Sequence, residues 1–454
     1  MRGKAPASST QTASRTSIKR KADPLNRLAP KAKPVAAPFL VALNLTRRCN
    51  QACAHCYLDA GTRRDGTEDE LSTDELKALI DDIASLGGET MIVLTGGEPL
   101  LRPDLDELAR HAAERELMVV IGSNGMTLDA KRVRRLKQAG VSGVGISLDS
   151  LDPAYHDAFR GVPGAWARTM NAIDACRAEG LPYQLHFSVT DDNANELDGM
   201  IDFAKRSEAL VLNVFFLVCT GRGEKVTNIS RQVYDHVLRQ VTEAAHREQE
   251  LLIRAKCAPH FKRMAMELDP EWPITLAQGY EAGGCLAGSR YCRVTPMGEV
   301  TACPYIEDSA GSVRDRSFAE IWETAPMFQQ LRKPSLEGRC GECEYRKLCG
   351  GCRARPLARD GELMGEDFLC DYTPKGEAVI EPLPATGDTL SWTREAEERF
   401  ARIPPFLRRM IRGRAEDYVR AKGRSVVTAD DLSQMAKRRF GSAMPARPQS
   451  GAAP

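Results

Sequence analysis

Cys49, Cys53 and Cys56 set three thiols within eight residues, in the order Cys-x3-Cys-x2-Cys. Three thiolates on one short loop can grip one face of a cubane iron–sulfur cluster and leave its fourth iron open, whereas a structural cluster or zinc site is closed by four protein ligands. An open iron can chelate a small molecule. His55, inside the same loop, offers the competing chemistry of a zinc knuckle with three sulfur ligands and one nitrogen. Cysteine spacing alone leaves both readings open.

Fourteen cysteines are many for 454 residues, and most fall in close groups. A chain of this length without a secretory apolar run points to reduced thiols used as ligands rather than to disulfides. Beyond the first loop come Cys285-x6-Cys292-x10-Cys303 and Cys340-x2-Cys343-x5-Cys349-x2-Cys352, with Cys370 after seventeen further residues. These eight thiols suffice to close two [4Fe–4S] clusters of four ligands each; a pair of zinc ribbons would use similar spacing. Cys176 falls in a helical segment and reads as core, while Cys219 lies at a strand end. Cys257 stands three residues before His260, and the two either ligate or lie inert in a helix.

Alternating elements must hold these loops. Apolar runs at 39–45, 91–94, 118–121, 143–148, 183–189 and 211–218 read as strands, separated by helical segments at 72–86, 104–115, 129–138, 165–179 and 195–207. Ser72-x-x-Glu75 is a capping box for the first helix, which Gly87-Gly88 ends. This alternation predicts an α/β fold of parallel βαβ units with right-handed crossovers and a ligand site at the C-terminal strand ends. Polar, turn-forming sequences fall there: the cysteine loop, Thr95-Gly96-Gly97-Glu98-Pro99, Ser123-Asn124-Gly125 and Ser147-Leu148-Asp149. A helix near 230–249 closes this unit. The cysteine-rich stretch that follows offers short strands at 290–295 and 299–302.

Composition sets the boundaries. The chain is 42% hydrophobic and 28% charged, with a net charge of +1. Residues 1–37 nevertheless carry nine Lys/Arg against Asp23 alone and almost no large apolar residue, so they read as a disordered basic tail. An organellar transit peptide would share that bias. No nucleic-acid partner is expected of a basic tail on a near-neutral protein. No apolar run approaches the roughly 18 residues of a membrane span, and the expected location is the cytoplasm. The expected division is a tail at 1–37, an α/β barrel-like domain at 38–250 and a cysteine-rich domain at 251–375. A linker at 376–390, a small helical domain at 391–442 and a disordered tail at 443–454 complete it.

Gly96-Gly97-Glu98 after the second strand, with Asn44-Leu45-Thr46-Arg47-Arg48-Cys49-Asn50 leading into the cysteine loop, resembles the radical S-adenosylmethionine (SAM) superfamily. That resemblance implies a partial (β/α)6 TIM-like barrel in which Cys49, Cys53 and Cys56 hold a catalytic [4Fe–4S] cluster whose open iron chelates SAM. It puts Gly96, Gly97 and Glu98 near the methionyl amino group, and Asn124, Ser147, Asp149 and Arg160 near the ribose and carboxylate. As plain residues, Asn124-Gly125 and Asp149 could equally be turn and cap positions. The implied chemistry is one-electron reduction of the cluster, homolysis of the SAM sulfur–C5′ bond and hydrogen abstraction by a 5′-deoxyadenosyl radical. A ferredoxin or flavodoxin is the implied electron donor.

Gly298-x4-Cys303 and the Cys340–Cys352 run resemble the SPASM extension, which carries one or two auxiliary [4Fe–4S] clusters. The interval Cys349-x2-Cys352 departs from the three intervening residues of many members. The resemblance suggests Cys285, Cys292, Cys303 and Cys352 for one auxiliary site and Cys340, Cys343, Cys349 and Cys370 for the other. The stretches 215–223, 256–261 and 349–355 resemble the branch that works on heme precursors, which implies a tetrapyrrole substrate and hydrogen abstraction from a propionate. Arg222, Arg353 and Arg355 would suit its carboxylates. Trp392, Ala396, Ile403-Pro404-Pro405-Phe406-Leu407-Arg408, Glu416-x-Tyr418, Gly423 and Val427-Thr428 resemble the small helical domain ending a subunit of light-independent protochlorophyllide reductase. Residues 392–440 hold thirteen Lys/Arg against seven Asp/Glu, which suits an anionic porphyrinoid or an acidic partner. Two rivals stand beside this reading. A peptide maturase acting on a precursor peptide predicts a recognition fold before Phe39, and an iron–sulfur scaffold or electron carrier has no need of Gly96-Gly97-Glu98 beside an open cluster.

Overall fold

The computed structural model describes residues 35–440 except 62–66, 88–89, 219, 223–228, 249, 271, 273–283, 383–389, 402, 404–410, 414, 417, 421 and 423. The basic tail up to residue 34, Gly88, Cys219, Pro404 to Arg408, Gly423 and the C-terminal tail lie outside the described residues.

All six expected strands form: β1 (Leu40–Asn44), β2 (Met91–Thr95), β3 (Met118–Ser123), β4 (Gly143–Ser147), β5 (Tyr183–Val189) and β6 (Val211–Phe216). They pair in chain order and all are parallel. Between them run α1 (Thr73–Ser85), α2 (Leu105–Ala113), α3 (Ala130–Gln138), α4 (Pro153–Arg160), α5 (Ala165–Glu179) and α6 (Leu197–Arg206), followed by α7 (Arg231–Arg247). The short α4 is additional to the expected set. Asp152 caps its start, Gly161 ends it at φ 69°, and Arg160 is its last residue.

Period-two alternation sorts the strand side chains. Leu185, Phe187, Val189, Leu212, Val214 and Phe216 are at most 1% exposed, and Phe216 meets the Tyr234 ring of α7 at 4.9 Å. These residues form the core beneath the helices. The opposite, concave face of the same strands carries Gln184, His186, Asn213 and Phe215.

Among the described residues two more parallel strands join these six in the sheet. β7 (Leu252–Lys256) adds beside β6, and β8 (Tyr291–Val294) adds beside β1. Both follow residue 250, so the cysteine-rich part of the chain completes the sheet. β9 (Glu299–Thr301) and β10 (Ser309–Ser312) continue it antiparallel, giving the order β10-β9-β8-β1-β2-β3-β4-β5-β6-β7. With β10 and β7 as its edges, the barrel is open.

The capping box is present at α1. Ser72 Oγ accepts from the Glu75 amide at 3.3 Å, the Glu75 carboxylate accepts from the Ser72 amide at 2.8 Å, and Leu76, Leu79, Ile80 and Ile83 form the buried stripe. Arg314 adds an ion pair to Glu75 at 2.8 Å. These partners hold the Glu75 carboxyl down at about 2, against an ordinary 4.5. Its contribution is therefore present above the ordinary value and fades as pH falls toward 2. Glu75→Gln should cost about 1 kcal/mol or less at pH 7, because the site is solvent-screened. Denaturant titrations of variant and parent should converge near pH 2; curves that stay apart there contradict the capping account.

Residues 390–440 build a separate small core of Ala396, Phe400, Ala415, Tyr418, Val419, Val427 and Leu432. Helices Arg394–Phe400 and Ala429–Phe440 and a short ladder of Ser391–Trp392 with Val426–Val427 frame it. Trp392 Nε1 donates to Glu416 at 3.0 Å. Among the described residues, no helix is long and apolar enough to cross a membrane.

Candidate active site and cysteine groups

The loop 45–61 leaves the C-terminal end of β1 and is tied down by β2. Leu45 N donates to Thr95 O, Gly97 N to Thr46 O and Glu98 N to Arg48 O, at 2.7–2.8 Å. Side chains would not fit here: a Cβ on Gly97 would lie 2.2 Å from Arg48 O, and Gly96 sits at φ 141° with its Cβ position 2.7 Å from Thr46 O. The two glycines thus seat the cysteine loop on the strand end. Glu98 does not face outward as a free charge. It is fully buried, accepts from Leu100 N (3.1 Å), Ser123 Oγ (2.9 Å) and Asn124 N (2.8 Å), and burial raises its carboxyl to about 7.

Glu98 thereby fixes Asn124 at the end of β3. Asn124 Nδ2 donates to Asn50 Oδ1 at 2.7 Å and lies 3.8 Å from Cys49 Sγ. Asp149, after β4, forms a buried ion pair with Arg160 of α4, and Arg160 Nη1 reaches Cys53 Sγ at 3.8 Å. Ser147 pairs with His186 across β4 and β5 at the same rim. His55 stacks on Phe159 at 4.4 Å. From the end of β6, Arg222 closes over the loop, donating its amide to Cys56 O and Nε to Cys53 O at 3.2 Å, and pairing with Asp59 at 3.0 Å.

These residues fit an iron–sulfur cluster. Burial pushes the Cys49 thiol up to about 12 and also raises Cys53, so these two thiols stay protonated unless a cation replaces the protons, as iron does. Arg160 and Asn124 add donors beside two of the sulfurs. Among the described residues no three His, Cys, Asp or Glu side chains converge as the shell of a single ion does. A cubane spreads its ligands wider, one thiolate to each iron.

Eight further cysteines form two groups, and one group differs in membership from the expected set. Cys340, Cys343, Cys349 and Cys370 line one cavity with His260, Arg263, Tyr345 and Tyr372. In the other group, burial together with neighbouring Cys352, Cys285 and Cys257 pushes Cys303 well above the usual thiol range. Cys292 is not among them. It is fully buried on the convex face of β8, opposite Val41, with Arg332 as its charged neighbour. Cys257 lies in no helix: it follows β7 directly at φ 57°, and α8 (Phe261–Leu268) begins only later. The two-residue interval between Cys349 and Cys352 is a turn with Gly350 and Gly351 at φ 66° and 65°, which sends the two thiols to different groups.

Between the groups lies a buried polar bridge. Asp367 accepts from Cys352 N at 2.7 Å, and Arg355 and His260 each approach it at 3.3 Å. His260 Nδ1 meets Tyr234 Oη at 2.9 Å, and Arg355 also reaches Cys257 O. Arg353 donates to the carbonyls of Gly350, Leu363 and Gly365. Arg353 and Arg355 are buried structural donors rather than exposed carboxylate ligands, and Cys176 is core in α5.

A thiol loop on the rim of an open β/α barrel, backed by two further thiol groups, defines a SAM-dependent radical enzyme with auxiliary iron–sulfur sites. The chain belongs to the radical SAM superfamily, which it matches over residues 43–204. It also matches the SPASM iron–sulfur cluster-binding domain over 285–344 and the proto-chlorophyllide reductase 57 kD subunit over 392–435. The AdoMet-dependent heme synthase of Methanosarcina barkeri is 39% identical over 344 residues, which are 74% of this chain and 97% of the relative. The PqqA peptide cyclase of Granulibacter bethesdensis is 28% identical over 365 residues, 78% of this chain and 92% of the relative. Streptococcus suis SuiB bound to S-adenosylmethionine shares the fold with a TM-score of 0.59 at 18% identity, over 74% of this chain and 78% of that one.

Proposed function

We propose that this radical SAM enzyme modifies a propionate side chain of a heme-type tetrapyrrole, with Cys49, Cys53 and Cys56 holding the catalytic [4Fe–4S] cluster. The observation that carries the site is the convergence of that loop with Asn124, Asp149 and Arg160 on one rim, above a polar concave face. When bound, the cluster and SAM supply reductive cleavage of the sulfur–C5′ bond to a 5′-deoxyadenosyl radical. The chain's own residues position and shield. Gly96 and Gly97 seat the loop, Glu98 holds Asn124, Arg160 supplies positive charge beside Cys53, and Asp149 aims Arg160. Ser147, Asn124 and Asp149 border the space for SAM.

The substrate class is supported by the greater identity to a heme synthase than to a peptide cyclase, and by the protochlorophyllide reductase-like module at 391–442 with its basic excess. The domain limits we propose are 38–250 for the barrel and 251–375 for the auxiliary region, which lends β7 and β8 to the barrel's sheet. A cytoplasmic ferredoxin or flavodoxin serves as electron donor. Anaerobic incubation with SAM, reductant and either candidate porphyrinoids or peptides tests this reading by mass spectrometry. Mass loss from a porphyrinoid supports it, and a modified peptide with unchanged porphyrinoids sinks it.

For the auxiliary sites we assign Cys257, Cys285, Cys303 and Cys352 to one cluster and Cys340, Cys343, Cys349 and Cys370 to the other. Cys257→Ser should lose up to one cluster's iron, whereas Cys292→Ser should keep full iron and lose only packing. Iron and sulfide analysis of the two variants decides; depletion in Cys292→Ser alone restores the set implied by resemblance.

A further inference from the structure

We infer that Lys256 and Arg254 of β7, with His186 and Asn213, form the subsite that recognises a carboxylate side chain of the substrate. The inference rests on the tetrapyrrole reading above.

Strand register places these residues together. Ser147, His186, Asn213 and Arg254 stand in one row across β4, β5, β6 and β7, and Phe215 and Lys256 pair in the row toward the C-terminal rim. All project from the concave face, because the residues alternating with them, from Leu185 to Ala255, are packed under the helices. Four neighbouring strands thus present polar or cationic side chains to the interior of the barrel, where an α/β barrel of this kind otherwise fills with branched apolar residues. Local packing shapes the patch. A Cβ on Gly145 would lie 2.5 Å from His186 Cε1, so β4 gives way to the imidazole, whose ring stands 5.2 Å from Phe215. Asn213 Nδ2 donates to Gln184 Oε1 at 2.6 Å, which fixes the amide, and its Oδ1 is buried without a hydrogen-bond partner.

The charge is of the sign a carboxylate needs, and its position suits the reaction. Burial, the Lys256 charge and Arg160 hold His186 neutral, with Asp149 also within electrostatic reach, so His186 lies between β7 and the pair that flanks Cys53. Lys256 directly precedes Cys257. A carboxylate gripped here would hold its side chain between the first cysteine loop and the Cys257 group. Arg222, Arg353 and Arg355 are engaged with the cysteine loop and with buried carbonyls and Asp367, while Arg254 and Lys256 of β7 bring two cations to the concave face beside His186 and Asn213. Lysine offers a compact point charge and arginine a two-pronged donor, so the pair can take a propionate in two geometries.

The experiment uses the full-length holoenzyme and measures equilibrium binding of iron coproporphyrin III, a tetracarboxylate probe, and of its tetramethyl ester, with SAM affinity measured in parallel. Lys256→Met should weaken tetracarboxylate binding at least about tenfold, as loss of a charge-assisted hydrogen bond does, and Lys256→Arg should restore most of it. The ester should bind the parent protein poorly and be insensitive to either substitution. Unchanged tetracarboxylate affinity in Lys256→Met and in Arg254→Met overturns the inference, as does a fall in SAM affinity alone, which would assign the cation to the cofactor. Failure of the parent protein to bind any porphyrinoid overturns the tetrapyrrole reading itself. Should Lys256→Met not fold, Lys256→Gln and Arg254→Gln carry the same comparison.

Discussion

Replacing Cys53 with alanine should abolish reductive SAM cleavage and lower the iron content by one cluster, while the two auxiliary sites stay loaded. Three thiolates are the minimum that leaves one iron open, and two cannot hold the cubane against loss. The effect should exceed the roughly 10–100-fold that loss of an outer partner of a metal site costs. Arg160→Met supplies that milder comparison, because Arg160 lies beside Cys53 Sγ without replacing it. Cys176→Ala is the control: its thiol is buried in α5, away from the rim, so it should alter stability and leave iron and turnover intact. The readouts are iron, sulfide and 5′-deoxyadenosine per chain. A Cys53→Ala protein that retains three clusters and cleaves SAM would remove the loop from the catalytic role.

Asp367→Ala should be the most destabilising single change in the cysteine-rich region. Asp367 is fully buried with Arg355 against it, and its charge raises the neighbouring His260 imidazole to about 9 despite burial, which makes His260 a second cation there. Removing one member of a buried ionic group leaves charge without compensation and costs about 3–5 kcal/mol. The change also reaches both thiol groups. Asp367 accepts from the Cys352 amide, and His260, which it faces, lines the cavity of Cys340, Cys343, Cys349 and Cys370, so both auxiliary sites should release iron faster. By contrast, Asp360 pairs with Arg359 at the surface, and Asp360→Ala should leave stability nearly unchanged. Denaturant unfolding of the two variants checks this; equal stabilities would mean that the bridge does not hold the groups together.

The barrel was legible because its strands are continuous apolar runs separated by helices, and the Ser72–Glu75 box appears where its pattern sits. β7 was not. Its sequence, Leu252-Ile253-Arg254-Ala255-Lys256, alternates apolar and basic residues, but it follows α7 closely and lacks the apolar density of the other strands. The same alternation carried the missed signal for Cys292. In a strand at 290–295, Cys292 must point away from Tyr291 and Arg293, and therefore away from the interior where Cys303 sits. Spacing counts ligands but does not say which face they occupy. Arg353 and Arg355 were misjudged for a different reason: a charge is buried only when partners satisfy it, and the carbonyls of Leu363 and Gly365 and the carboxylate of Asp367, which do so here, lie beyond a turn in the chain. The motif residues around Cys49 were legible as a set, yet the task of Glu98, holding Asn124 rather than offering free charge, appears only with the hydrogen bonds in view.

The central claim is that this site takes hydrogen from a propionate side chain of a tetrapyrrole. The direct measurement is a single anaerobic turnover with a porphyrinoid deuterated on the propionate carbons, followed by mass analysis of the 5′-deoxyadenosine. The account predicts one deuterium in the deoxyadenosine and a matching loss from the porphyrinoid side chain. Unlabelled deoxyadenosine accompanying a modified porphyrinoid would contradict it.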